Sequence, residues 1–429
     1  MKNLYGKLMY QWADDLFPIC RSITGQGQRD TLEYFEKINP ELKRIKFKSG
    51  DQVFDWEIPK EWVINDSYIE HESGKKFAEF SKNNLHVLNY SSPINREMFK
   101  NELLKNIYTQ EDFPSAIPYV TSYYMDNWGF CMSQDELEDL PDGKYTAYVD
   151  SNFIDGTLEM SEACIAGEND QEIFFSTYVC HPSMANNELS GPVLASALIN
   201  YIKDNYPNNK MSYRFVFLPE TIGAIAYLSK RHKLLKSKIL AGYVLSCVGD
   251  NLEYSLIHGQ EKSSLADISL EAALIGKENF KEYSFLQRGS DERQYCSPGI
   301  DLPVCGFSRT KYGEFKEYHT DKDDMNFISI EGLQGSFDVF KTIIDSFELG
   351  LKPKTSNPCE PFLSKYNLIS HISKKDTHSQ AIVLRKNLIA YSDGKRSIFE
   401  IAKILDTPLE KVIKELALLI ENKIIQTKS

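Results

Sequence analysis

The chain has 429 residues, 42% of them hydrophobic and 26% charged, with a formal net charge of −12. That length exceeds one typical core, so two or three domains are expected, and the acidic balance argues against a nucleic-acid-binding surface spread over the whole molecule. The start, MKNLYGKLMYQWADDLF, lacks the apolar stretch and cleavage site of a secretory signal, and no apolar run reaches membrane-spanning length. A cytoplasmic protein with no membrane partner is therefore expected.

Residues 4–37 have helical apolar spacing on either side of RSITGQGQ, where Gly25 and Gly27 interrupt the pattern. From about Asp51 to Tyr148 the texture changes to short β-prone pieces, such as EWVINDSYIEH and GKYTAYVDS, punctuated by Gly, Pro, Asn and Asp. Three of the four tryptophans, Trp56, Trp62 and Trp128, fall here. This predicts a small β-rich domain over 51–149, inserted into a larger one made of residues 1–50 and 150–352.

From about Gly156 to Leu351 the strand candidates EIFFSTYVC, YRFVFLP, ILAGYVLSCV, EYSFLQ and LPVCGFS alternate with helices expected after Gly191, Thr221, Ser264, Asp291 and Ser329. Such alternation predicts an α/β sheet covered by helices on both faces. Beyond Lys352, KPKTSNPCEP reads as a linker to a tail over 361–429. There two amphipathic helices, SIFEIAKIL and LEKVIKELALLIENKII, lie between the β-prone pieces AIVLRKNLIAY and IIQT, the order of a winged helix-turn-helix. Residues 360–429 hold 12 Lys or Arg against 8 Asp or Glu, and the second helix mixes both signs. Docking on a protein partner or self-association is expected of this tail, rather than nucleic-acid reading. The eight cysteines show no CxxC pair and are expected to be free thiols. Cys180 beside His181 invites a cysteine-nucleophile reading, but neighbouring side chains on a strand point to opposite faces.

Four polar clusters follow strands in the α/β region: His181 with Asn186, Asn187 and Glu188; Glu220; Asp291 with Glu292 and Arg293; and His319. In a parallel sheet the loops after the strands share one edge, so these groups can converge. Two histidines and a carboxylate are the ligand set of a catalytic zinc that keeps one position open for water. A further carboxylate can take that water's proton and pass it to a leaving amine, and Glu220 is placed for that role.

The run of His, then NELSG, PETIG, SDERQY and YHT resembles the catalytic domain of the co-catalytic zinc aminopeptidases. LFPICRSITGQG, IPYVTSYY, WGFC, CHPSMAN, SDERQYCSPG and EYHT resemble, more closely, bacterial aminopeptidase-like proteins associated with polysaccharide biosynthesis. The resemblance implies a zinc-aminopeptidase-like mixed sheet with helices on both faces, an inserted small domain and a C-terminal winged helix. It matches His181 and His319 to the first and last histidine ligands and Glu220 to the general base. Asn187 falls where the aspartate bridging two zincs would be, and Thr221 and the Ser246-Cys247 pair fall where two more acidic ligands would be.

These departures point to a single zinc ion on His181, Glu188 and His319, with Glu220 as base. Asp291 is expected to orient a ligand histidine, and Arg293 to meet a substrate carboxylate or pair with a neighbouring acid; Asn187 is placed with them around the substrate. The expected activity is zinc-dependent, aminopeptidase-like hydrolysis of a small peptide or N-acyl amide. The alternatives are a non-catalytic peptidase-like scaffold in surface polysaccharide biosynthesis and, resting on the tail alone, a DNA-associated regulator.

Overall fold

A computed structural model describes residues 3–369 and 380–428, so 370–379 of the expected tail lie outside the described residues. Eight strands form one mixed sheet, in the order Lys43–Lys48, Thr157–Ile165, Ser212–Leu218, Glu172–Tyr178, Ile239–Leu245, Val304–Ser308, Tyr254–Ile257, Phe280–Tyr283. The four strands from Ser212–Leu218 to Val304–Ser308 run parallel to one another; each end of this group meets its outer neighbour antiparallel, and the outermost pair Tyr254–Ile257 and Phe280–Tyr283 is parallel. Every residue of EIFFSTY is buried, as a central parallel strand with helices on both faces requires. Alternate residues serve opposite cores: Phe175, Phe215 and Tyr243 pack on one face and Phe174, Val216 and Val244 on the other.

The first face is covered by helices Leu4–Leu16, Ser190–Asn205, Leu265–Leu274 and Ile330–Leu349, the second by Ile222–Lys238. Four of the five helix starts read from the sequence fall within one residue of the observed ones, and Ser190 precedes Gly191 in the remaining helix. EYSFLQ divides differently: Phe280–Tyr283 is the strand and Phe285–Gln287 a short 3₁₀ turn. Gly191 lets its helix lie against two strands, since a Cβ there would sit 2.3 Å from Thr177 Oγ1 and 2.5 Å from the Leu245 carbonyl oxygen. Gly191→Ala is expected to cost about 1–3 kcal/mol through overpacking, read as a lower denaturation midpoint.

Residues 61–154 carry a separate antiparallel sheet of four strands, Lys76–Phe77, Glu61–His71, Lys144–Ile154 and Ile94–Phe99. Its apolar face is continuous with the larger sheet's second face, through Trp62, Phe130 and Tyr145 to Phe174 and Tyr227. One segment of this region reaches back into the α/β body. The Tyr119 N–H donates to the His319 carbonyl (2.8 Å), the Ile117 N–H to Asp321 Oδ1 (2.7 Å), and Pro118 bridges Thr320. The loop bearing His319 is therefore stitched to the β-rich segment.

In the tail, the sequence reading needs two corrections. AIVLRKNLIAY is helical over Gln380–Tyr391; its Leu, Arg, Lys and Ala favour helix, and packing against the helix Leu409–Glu421 outweighs its β-branched residues. The expected linker begins as a strand, Lys352–Thr355, paired antiparallel with Ile425–Lys428. Helices Ile398–Ile404 and Leu409–Glu421 pack on Leu265–Leu274 and Ile330–Leu349, so Phe399, Val412, Leu416 and Leu419 join the main core. Among the described residues, no helix is long and apolar enough to cross a membrane.

Candidate active site

The four clusters meet at the carboxyl edge of the parallel strands, where helix starts and strand ends leave polar groups to be satisfied by side chains. After the strand Glu172–Tyr178 the chain enters a π-helical turn, Ala185–Leu189, a form frequent at functional sites. Asp323 holds that turn, accepting the Asn186 N–H at 2.6 Å and the Asn187 N–H at 2.8 Å. Burial pushes the Asp323 carboxyl up to about 7, although those backbone donors pull it down. Asn186 accepts the Gly249 N–H at 2.7 Å and so ties the turn to the loop after Ile239–Leu245.

Glu188 does not take the metal-ligand position expected of it. Its carboxylate lies behind His181 and accepts from the Cys180 N–H (2.8 Å), the His181 N–H (3.0 Å) and His181 Nδ1 (3.1 Å), with Arg21 Nε at 3.3 Å. Both Glu188 and Arg21 are fully buried; three N–H donors hold the carboxylate, and Arg21, whose Nε donates to the His181 carbonyl at 2.9 Å, neutralises its charge. Its role is the one expected of Asp291: it orients the imidazole from Nδ1 and leaves Nε2 facing outward. Burial draws the His181 pKa down, but the hydrogen bond and charge of Glu188 outweigh it and leave the group above its ordinary value. Sequence reasoning missed Arg21. Its clue, an arginine between two apolar stretches in PICRSIT, had no partner visible along the chain.

Glu220 Oε2 lies 3.8 Å from His181 Nε2, while Glu220 Oε1 accepts from Ser290 Oγ at 2.9 Å. Burial raises the Glu220 carboxyl above its ordinary pKa, against the opposing pull of His181, Ser290 and Arg293. The next residue, Thr221, has φ 63° and ψ −79°, and the Ile222 N–H closes onto the Glu220 carbonyl at 2.8 Å. This is a γ-turn of the rare positive-φ hand, costing about 1–3 kcal/mol and of a kind concentrated at functional sites.

Asp291 supports that turn instead of a histidine, because Oδ1 accepts the Thr221 N–H at 2.8 Å. Burial, reinforced by Glu220, raises the Asp291 pKa well above the carboxylate range. Arg293 donates to Thr221 Oγ1 from one Nη, its Nε is buried without a hydrogen-bond partner, and no ion pair with an acid is seen among the described residues. His319 reaches the site from φ 55°, its ring stacked on Tyr318 at 4.0 Å and 5.5 Å from the His181 ring. Tyr119 stands edge-on to both imidazoles, at 5.3 Å from each. Burial and the His181 charge push the His319 pKa down to about 3, so the ring is neutral at ordinary pH, and its buried Nε2 has no protein partner.

Asn187, Ser246 and Cys247 gather around one phenol. Tyr178 donates to Asn187 Oδ1 at 2.8 Å, shares a 2.7 Å hydrogen bond with Ser246 Oγ, and Cys247 Sγ lies 3.5 Å from Asn187 Oδ1. This part of the site is thus an uncharged network. Burial and nearby carboxylates hold the Cys180 thiol well above its ordinary pKa, which disfavours the thiolate that a nucleophile requires.

The two histidines suit a zinc ion. His181 Nε2 and the partnerless Nε2 of His319 are imidazole donors, Glu220 Oε2 lies 3.8 Å from the first as a proton acceptor beside them, and a second dication would need bridging carboxylate charge that Asn187 does not carry. The ligand atoms of His181, Glu220 and His319 are spread more widely than 4.8 Å. Among the described residues that spacing is met only by Cys180, His181 and Glu188, which bond to one another, and by His258, Glu271 and Glu282. In the latter group, Lys262 and Lys403 already pair with Glu282 and Glu271.

Comparison with known proteins agrees with this architecture. Residues 10–349 match the family described as a domain of unknown function, DUF4910, and residues 352–427 match a winged helix-turn-helix family. A Clostridium acetobutylicum protein, provisionally described as a polysaccharide biosynthesis protein with an aminopeptidase-like domain, is 39% identical over 92% of this chain and 91% of its own length. A crystal structure from the same organism, provisionally described as a peptidase, superposes with a TM-score of 0.90 at 35% identity, over 99% of this chain and 97% of that one. A zinc aminopeptidase from Bacillus subtilis shares the fold at a TM-score of 0.58 and 16% identity, over 79% of this chain and 94% of that one. The chain belongs to the DUF4910 family of proteins with an aminopeptidase-like fold, and carries a winged helix at its carboxyl end.

Proposed function

We propose that this protein is an aminopeptidase-like amide hydrolase in which His181 and His319 hold one zinc ion and Glu220 moves the proton. The observation that carries this reading is the buried, partnerless Nε2 of a neutral His319, across from an imidazole whose own Nε2 Glu188 turns outward. Zinc held there supplies a Lewis acid that activates a water and polarises an amide carbonyl. Ser290 occupies one oxygen of Glu220 and leaves the other free to accept a proton and return it to the leaving nitrogen. A raised pKa suits that exchange, since a general base works best when its pKa approaches the working pH. The strained turn at Thr221, held by Asp291 and Arg293, fixes the direction in which Glu220 points.

A non-catalytic binding protein is the second reading, supported by the uncharged network of Tyr178, Asn187, Ser246 and Cys247. Metal analysis of protein purified without chelators, followed by amine release from a panel of aminoacyl and N-acyl amides, separates the two. One zinc per chain with turnover is expected. Metal-free protein inert on the whole panel favours the binding protein.

A further inference from the structure

Beside His181 and Glu220 lies a cavity of about 290 Å³, walled by Ile23, Trp56, Tyr123, Tyr124 and Ile222. Its roof is the hairpin of Gln52–Val53 and Trp56–Glu57, supplied by the β-rich segment. That hairpin is set firmly. Trp56 meets Tyr124 edge-on at 5.7 Å, the Tyr124 hydroxyl donates to the Glu57 carbonyl at 2.9 Å, and Phe54 packs on His232 of the helix Ile222–Lys238 at 5.9 Å. Phe54 and Tyr124 have φ of 56° and 62°. Bulky residues rarely take such backbone angles, and the first position of a two-residue hairpin turn with φ above zero ordinarily holds glycine. Trp56 and Tyr124 are nevertheless 41% and 51% exposed, so strain holds aromatic surface open to a ligand rather than burying it.

Few polar atoms in this lining are uncommitted. The Tyr123 hydroxyl bonds Tyr119, the Tyr124 hydroxyl bonds Glu57, Thr221 Oγ1 receives Arg293, and Cys180 Sγ receives the Glu220 N–H. Among the described residues Glu220 is the one carboxylate lining the cavity, and Asp291 and Glu292 are fully buried. A substrate ammonium would bring a charge and three N–H donors into these walls, with only Glu220 to satisfy them. Pairing with it would also withdraw the group that must accept a proton.

We infer, building on the proposed hydrolase reading, that the substrate is an uncharged N-acylated amine whose apolar or aryl part lies under Trp56, and not a peptide with a free amino terminus. The test is binding, which requires no turnover. The probes are phenylalaninamide and N-acetylphenylalaninamide, titrated by NMR into the full chain at about pH 6, where an α-amino group of pKa about 7.7–8.0 is charged. The acetylated probe is expected to bind at least about tenfold tighter, equivalent to about 1.4 kcal/mol. The gap should narrow as pH rises and the amine loses its proton. Trp56→Ala should weaken the acetylated probe about tenfold or more, whereas Phe99→Ala, an exposed aromatic of the four-stranded sheet outside the cavity lining, should not. Equal or tighter binding of phenylalaninamide at about pH 6, or binding of neither probe, overturns the proposal. Selective binding of the acetylated probe by protein that cleaves nothing would overturn the hydrolase reading and leave this one standing.

Discussion

Glu220→Gln is expected to keep the fold and the metal content and to lose about two to four powers of ten in hydrolysis rate. The glutamine preserves the shape that receives the Ser290 hydroxyl at 2.9 Å, and its amide cannot take a proton from water. The loss should appear in kcat far more than in KM, because the residue acts as charge moves and not as the substrate docks. Turnover like that of the parent would reduce Glu220 to a cap on its helix.

The largest effect on stability is expected from Glu188→Ala. Arg21 is buried at 0% relative exposure and Glu188 at 1%, and the carboxylate is also the acceptor for two backbone N–H groups and His181 Nδ1. Removing it strands a buried cation along with three donors, and breaking one partner of a buried ion pair costs about 3–5 kcal/mol. Equilibrium denaturation checks this. A companion Arg21→Met, Glu188→Leu variant should recover only part of the loss, because the charge problem disappears while the backbone donors stay unmet. Full recovery would show that Glu188 matters only as a counter-ion. Unchanged stability in Glu188→Ala would contradict the geometry around His181.

The fold could be read from the chain because its signals are local. The unbroken apolar strand EIFFSTYVC, the glycine after NELS, and caps such as Ser264 and Ser329 each announce their own structure. The edge strand Lys43–Lys48 and its neighbour Thr157–Ile165 could not, since Lys, Arg and Glu recur along them and their place depends on pairing with distant strands. In the tail, helical packing overrode a β-branched start at AIVL.

At the site, residue types and order brought His181, Glu220 and His319 to one edge, because each follows its own strand. What spacing could not convey was direction. Glu188 follows His181 closely enough to ligate beside it, but the π-helical turn carries its carboxylate to the imidazole's inner nitrogen, where Arg21 waits from 160 residues earlier than His181. Tyr119 was hidden for a related reason: it belongs to the β-rich segment, and only the backbone pairing of that segment with the His319 loop brings it between the two imidazoles.

Anomalous scattering at the zinc edge, from crystals of the full chain grown with zinc, would locate the ion. One full-occupancy peak per chain is expected, in contact with Nε2 of both His181 and His319, with Glu220 beside it and Glu188 still hydrogen-bonded behind the His181 ring. Two full-occupancy peaks a few ångströms apart, a peak ligated by Glu188, or no peak at these histidines would contradict the proposed single-ion site.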